Sequence, residues 1–259
     1  MRLHHNAVST CSQKVRLVLA EKGLEVDDAL VDLQKGEQFA PAYRALNPNA
    51  VVPTLEHEGH VLIESSLINE YLDDAFPEIP LRPETPADRH RMRLATKRID
   101  DPLHGACGVL TYAIGARSAM QLRPKEEIDA MLAQIPDAKK RASRASVLEH
   151  GVRAPEVASA LAAHTAVFDQ AEAWLAESAW IAGDRVSLAD CALAPYVLRV
   201  DHLQLGGRLL DARPQLQRWY DAMRARPSWE TAVTRWLPEM LVEMFRAAGE
   251  AAVAELDAA

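Results

Sequence analysis

The chain has 259 residues, enough for one large domain or two modest ones that share an interface. Apolar residues make up 49% and charged residues 25%, the balance of a globular chain with a sizeable core. A formal net charge of −8 argues against a nucleic-acid partner, because phosphate binding needs a basic face.

Cys11, Cys107 and Cys191 are far apart, and no CxxC or Cys/His cluster offers metal-ligand spacing. No metal site is expected, and free thiols fit a reducing cytoplasm. The opening Met1–Asn6 lacks the apolar run of a secretion signal. No window approaches the roughly 18 uninterrupted apolar residues of a membrane span. A cytoplasmic protein with no membrane partner is the expectation.

In chain order, Arg2–His5 reads as a short strand meeting a polar turn at Asn6–Thr10. His4 and His5 are adjacent in it, so they point to opposite faces and do not form a metal pair. Cys11–Lys22 carries Val15, Val18 and Leu19 at helical spacing, with Gly23 where a left-handed residue closes a helix. Val26–Leu33 reads as a second strand, completing a βαβ unit. A short helix over 37–46 ends before Asn47-Pro48. Val51–Leu55 and His60–Ile63, separated by Glu58-Gly59, form a hairpin. Ser65 or Ser66 caps the next helix, whose buried face carries Leu67, Ile68, Tyr71 and Leu72.

Residues 1–77 therefore make a small four-stranded mixed sheet with helices on both faces. Pro77, Pro80, Pro83 and Pro86 are too dense for regular structure and make 78–86 a linker. Only helices follow within 87–259, at 87–116, 124–134, 138–149, 155–177, 187–202, 213–225 and 228–248, with a frayed Ala-rich tail. Lys139-Lys140-Arg141 reads as a solvated helix face.

Three places carry chemistry. Ser9-Thr10-Cys11-Ser12 lies where the first strand enters the first helix, where unpaired amides and the dipole favour an anion. A hydroxyl there could donate to a thiolate and lower its pKa, or could simply cap the helix. Val52-Pro53 opens a strand. If that bond is cis, the Val52 main chain can pair with a bound peptide; if trans, it is an ordinary edge proline. Glu64-Ser65 opens a helix and suits the carboxylate and ammonium of an α-amino acid end, or forms a cap beside a solvated acid.

The segments STCSQKVRLVLAEKG at 9–23, GEQFAPAYRALNPNAVVPTL at 36–55 and ESSLINEYLDDAFP at 64–77 together resemble the glutathione transferase superfamily. The first looks most like the serine-type, zeta-class Ser-x-Cys-Ser pattern. The resemblance implies an α/β thioredoxin-like domain followed by an all-α domain, glutathione as cofactor, and a homodimer. It implies Ser9 as the donor to the glutathione thiolate and Val52, ahead of a cis-Pro53, as partner of the cysteinyl backbone. Glu64 and Ser65 would hold the γ-glutamyl end. Gln38, with Lys35 as a second candidate, would approach the glycyl carboxylate.

Ser187-Leu188-Ala189-Asp190 matches the family's capping box, in which Ser187 caps the residue 190 amide and Asp190 reaches back. The second-substrate pocket of this architecture lies between the domains, with Lys97, Asp101, Leu110 and Tyr112 as candidates.

Two features depart from the zeta pattern. Cys11 sits beside the thiolate position, as in the reductive dehalogenases, but Lys14 leaves no CxxC partner, so it is either a nucleophile or structural. The chain also carries extra residues near 117–158 and after Trp236, resembling longer bacterial proteins that cleave aryl ethers with glutathione. These form a lid or a surface insertion. The implied function is glutathione-thiolate attack on a small apolar electrophile, aromatic or unsaturated, by conjugation, isomerisation, ether cleavage or dehalogenation. The rival is a non-catalytic binding or scaffold protein on the same fold.

Overall fold

A computed structural model describes residues 1–258. Four short strands, β1 (Arg2–His5), β2 (Asp27–Leu30), β3 (Thr54–His57) and β4 (His60–Ile63), form one sheet in the order β2-β1-β3-β4. β1 pairs parallel with β2 and antiparallel with β3, and the β3–β4 hairpin turns at Glu58-Gly59, both with positive φ. The second strand is shorter than the expected Val26–Leu33 and mostly exposed, as suits an edge that starts on two acids.

Alternation along β1 sorts its side chains onto two faces. Leu3 and His5 are buried, and His5 meets Arg16 of α1 (Thr10–Glu21). His4 instead meets Tyr43 of α2 (Pro41–Leu46), ring centroids 5.9 Å apart. α1 packs against α3 (Ser65–Ala75), burying Val15, Val18, Ile68 and Leu72 completely. Val31, Tyr43 and Val52 form a separate small cluster. The expected 37–46 helix is divided: a 3-10 turn spans Glu37–Phe39, and α2 restarts with Pro41 at its first position.

The Pro-rich segment after α3 is tied back by a buried ion pair. Asp73 accepts from Lys22 Nζ at 2.7 Å, Arg82 Nε at 2.6 Å and the Leu81 amide at 2.8 Å. Burial alone would raise the Asp73 carboxyl; these donors outweigh it and hold its pKa below the usual range.

The remaining elements are helical: α4 (Pro86–Leu110), α5 (Arg117–Gln121), α6 (Lys125–Ala133), α7 (Ala138–His150), α8 (Pro155–Glu177), α9 (Leu188–His202), α10 (Gly206–Leu209), α11 (Pro214–Arg224), α12 (Pro227–Ala232) and α13 (Glu239–Asp257). Three expectations are corrected. The 87–116 helix gives way at Thr111–Ala116 to a π-helical stretch, where Gly115 lets the Phe245 ring approach. The 228–248 helix is broken: α12 ends at Ala232, and Pro238 opens a new helix, because proline disfavours helical backbone before it. The Ala-rich tail is helical to Asp257. Gly249 lies so close to the Leu203 carbonyl that a Cβ would sit 2.3 Å from it, and Arg208 pairs with Asp257.

Two compact units divide the chain. One comprises Met1–Lys97, Trp174–Pro195 and Arg218–Leu237; the other comprises Arg98–Ala173, Tyr196–Gln217 and the residues from Pro238 onward. In the first, α12 packs on α1, where Glu21 accepts from Arg226 Nε at 2.5 Å and from Ser228 Oγ at 2.5 Å. Asp190 is also in this unit, fully buried. Its Oδ2 takes the Ser187 amide at 2.8 Å and the Ser187 hydroxyl at 2.7 Å, and its Oδ1 takes the Ile181 amide and Trp219 Nε1. The box is therefore one-sided. Asp190 reaches back as expected, but the residue 190 amide bonds the Ser187 carbonyl and the Ser187 hydroxyl is spent as a donor.

No helix among the described residues is long and apolar enough to cross a membrane. No group of three or more His, Cys, Asp or Glu among them is placed to hold a metal ion.

Candidate functional site

The ladder registers align His4, Thr54 and Ile63 in one row across β1, β3 and β4. The C-terminal end of β1, the N-terminal end of β3 and the C-terminal end of β4 therefore lie side by side. With about 4.8 Å between neighbouring strands, the row spans about 10 Å. The three segments singled out from the sequence are the three junctions at this end of the sheet.

At the first junction, Ser9 is the N-cap of α1 and accepts the Ser12 amide at 3.3 Å. The cap and thiolate readings are compatible. Capping uses a lone pair of the hydroxyl oxygen, and its O–H remains available as a donor. Asn6 organises the loop that delivers Ser9. Its Oδ1 accepts the Val8 amide, its Nδ2 donates to Val31 O, its amide donates to Ser12 Oγ, and its carbonyl accepts the Ser9 amide. Cys11 is buried, 8% exposed, one residue into the helix.

At the second junction, Val52-Pro53 is cis. Val52 lies two residues ahead of β3, and no hydrogen bond among the described residues uses its amide or carbonyl. The loop is pinned from behind, where Val51 O accepts from Tyr43 Oη at 2.6 Å and from Asn47 Nδ2 at 2.9 Å. Thr54 Oγ1 links the two, accepting from Asn47 Nδ2 and donating to Tyr43 Oη. Burial pushes the Tyr43 phenol pKa up, so it stays a neutral donor.

At the third junction, Glu64 is the N-cap residue of α3 with φ 70° and ψ 108°, and its side chain makes no capping bond. This corrects the expectation of a serine cap: Ser65 is the first helical residue, 9% exposed, and Glu64 itself is exposed. A bulky residue held at positive φ costs on the order of 1–3 kcal/mol, and such strain concentrates at ligand clamps.

The other expected residues are placed as follows. Gln38 is 9% exposed, and its Oε1 has no partner among the described residues. Lys35 is exposed and paired with Asp32 at 3.1 Å. In the second unit, Leu110 is 1% exposed at the end of α4, and Tyr112 lies half-buried with the Arg144 guanidinium 3.6 Å over its ring.

Arg16, Asn6, Tyr43 and Asn47 were not singled out from the sequence. Arg16 had a readable signal, a charge seven residues after Ser9 on the same helix, at the spacing that returns to one face. The other three had none, because their roles depend on loop shape.

This arrangement defines a thioredoxin-like domain, joined in sequence to a helical segment. Residues 8–75 match the family model described as glutathione S-transferase, N-terminal domain, and residues 123–227 match glutathione S-transferase, C-terminal domain. Maleylacetoacetate isomerase of Pseudomonas aeruginosa is 30% identical over 238 residues, covering 90% of this chain and 95% of the isomerase. The chain belongs to the glutathione S-transferase family.

Protein LigF of Sphingobium sp. strain SYK-6 is 36% identical over 131 residues, 50% of this chain and 51% of LigF. In sequence, the match thus spans about half of that relative. The crystal structure of β-etherase LigF from the same strain superposes with a TM-score of 0.80 at 27% identity, over 89% of this chain and 97% of LigF.

Proposed function

We propose that the chain is a glutathione-dependent enzyme in which Ser9 stabilises the glutathione thiolate for attack on a small apolar, ether-bearing aromatic substrate. The conformation of Glu64 carries this reading: a strained, uncapped helix start at the end of the sheet where the Ser9 hydroxyl and the Val52 main chain are also open. A scaffold would gain nothing from that strain.

The residues present fit the tripeptide. Its span of about 10 Å in extended form matches the width of the row from β1 to β4. Val52 N–H and C=O suit the cysteinyl backbone in antiparallel pairing. The first amides of α3, with Ser65, suit the γ-glutamyl carboxylate, and Glu64 suits the ammonium. Gln38 Oε1 can accept the glycyl N–H, and rotating the same amide offers a donor to the glycyl carboxylate.

When bound, glutathione would supply a thiolate nucleophile for the substrate's ether carbon: a sulfur–carbon bond to the substrate would replace its C–O bond, and the departing aryloxide would take its proton from water. Ser9 donates to the sulfur, and the first amides of α1 add positive potential. Lowering the thiol pKa by one unit requires about 1.4 kcal/mol, within reach of one such bond and the dipole. The likeness to LigF favours ether cleavage over plain conjugation, and the likeness to maleylacetoacetate isomerase keeps isomerisation as the second reading. Residues 1–77 are assigned to glutathione and 87–259 to the electrophile, with Tyr112 and Leu110 as the candidates for its apolar part. Family resemblance supports a cytoplasmic homodimer.

Three measurements test this. Retention on immobilised glutathione tests binding. An ultraviolet difference spectrum tests the bound thiolate, and its absence at neutral pH contradicts an enzyme. A screen of aryl ethers, haloaromatics and a cis-unsaturated diketoacid orders the reactions.

A further inference from the structure

Arg16 is 4% exposed, yet it makes four hydrogen bonds, two of them to the loop that carries Ser9. Nη1 donates to the Asn6 carbonyl at 3.0 Å, and Nη2 donates to the Ala7 carbonyl at 2.8 Å. Nη1 also lies 2.9 Å from His5 Nδ1, and Nε donates to the Ala232 carbonyl, at the end of α12, at 2.7 Å. The Trp236 ring stacks beneath it, 5.3 Å from the guanidinium carbon, and also meets the His5 ring edge-on at 4.8 Å. One planar cation thus ties together the end of β1, the loop before Ser9 and a segment more than 200 residues later in the chain.

We propose that Arg16 is a positioning residue for Ser9: its guanidinium fixes the Asn6-Ala7 carbonyls that set the Ser9 hydroxyl. This deepens the proposed function and rests on it. The link to Ser9 is direct, because the Asn6 carbonyl that takes Arg16 Nη1 also takes the Ser9 amide. The planar fork spreads its donors over three nitrogens and so reaches carbonyls on two separate segments, whereas a lysine ammonium carries its three donors on one atom. The titratable and charged groups facing Arg16 are His5 from β1, Asp28 from β2 and Arg235 from the turn before Trp236. Burial lowers the Arg16 pKa to about 9, which leaves the charge in place at neutral pH. His5 stays neutral there, with its Nε2 3.1 Å from Asp28.

The test titrates the thiol of bound glutathione by its ultraviolet thiolate absorbance in the full-length wild type, Ser9→Ala, Arg16→Gln, Arg16→Lys and the Ser9→Ala/Arg16→Gln double variant. Circular dichroism confirms folding, and affinity for S-methylglutathione reports binding without ionisation. In Arg16→Gln the bound thiol pKa should rise by about one unit, a roughly tenfold fall in the thiolate-to-thiol ratio. S-methylglutathione affinity should change less than about threefold, since the backbone and γ-glutamyl contacts remain. Arg16→Lys should lie between wild type and Arg16→Gln. In the Ser9→Ala background the Arg16→Gln substitution should add little. A wild-type thiol pKa in either folded Arg16 variant, or full additivity with Ser9→Ala, overturns the proposal. If Arg16→Gln does not fold, Arg16→Lys decides by the same readout. An unchanged signal in Ser9→Ala overturns the functional reading itself, and a lost signal there with unchanged Arg16 variants overturns only the positioning role.

Discussion

The Ser9 amide and the Arg16 guanidinium donate to one acceptor, the Asn6 carbonyl, at 3.3 and 3.0 Å. The loop that carries Ser9 is therefore held from both sides through a single peptide group, and Asn6 is its hub. Asn6→Ala keeps that carbonyl but removes the bonds to the Val8 amide and Val31 O. The expected cost is about 1–2 kcal/mol of stability, with a fall in kcat larger than any rise in KM. Urea unfolding and steady-state kinetics check the two effects separately.

Glu64→Gly should separate stability from binding. Glycine adopts φ 70° without steric cost, so the variant should match or exceed the wild type in stability, by up to about 1 kcal/mol. It should lose glutathione affinity by about tenfold or more, because the carboxylate proposed to meet the ammonium is gone. Thermal melts and calorimetric titration with glutathione decide it; a variant that binds normally contradicts the assigned role.

Asp190 accepts from four neutral donors in a fully buried site, where burial raises its carboxyl pKa. Asp190→Ala leaves the Ile181 and Ser187 amides and Trp219 Nε1 without an acceptor. It should cost about 3–5 kcal/mol, read as a fall in the urea midpoint or as insoluble protein.

His5 and His164 are both buried, and burial lowers each pKa from 6.5 to about 4. The unfolded chain therefore takes up protons first as the pH falls. Stability is fully present above about pH 6.5 and is lost progressively between there and pH 4, by on the order of 3 kcal/mol per histidine. His164→Leu removes one of the two titrations and should flatten the dependence of the urea midpoint on pH across that window.

Much of the fold was legible because its signals are local. The βαβ start, the hairpin at Glu58-Gly59 and the proline cluster each follow from period, turn chemistry or backbone restriction. Errors arose where tertiary contacts decide. Thr111–Ala116 takes π geometry around the Phe245 ring, and the tail to Asp257 is helical because Gly249 packs against Leu203. At the site, Ser9, Val52-Pro53 and Glu64 stood out by residue type and position. Their support did not, since Arg16 draws on Ala232 and Trp236, and Tyr43 and Asn47 act through the carbonyl of Val51. No local pattern encodes a partner more than 200 residues away.

The central claim is that Ser9 holds glutathione as a thiolate. The most direct measurement is the thiolate absorbance of the protein–glutathione complex as a function of pH, for wild type and Ser9→Ala. The bound thiol pKa should lie well below that of free glutathione in the wild type and rise by about one unit or more in Ser9→Ala with glutathione still bound. A wild-type complex that titrates like free glutathione, or a Ser9→Ala complex indistinguishable from wild type, would contradict it.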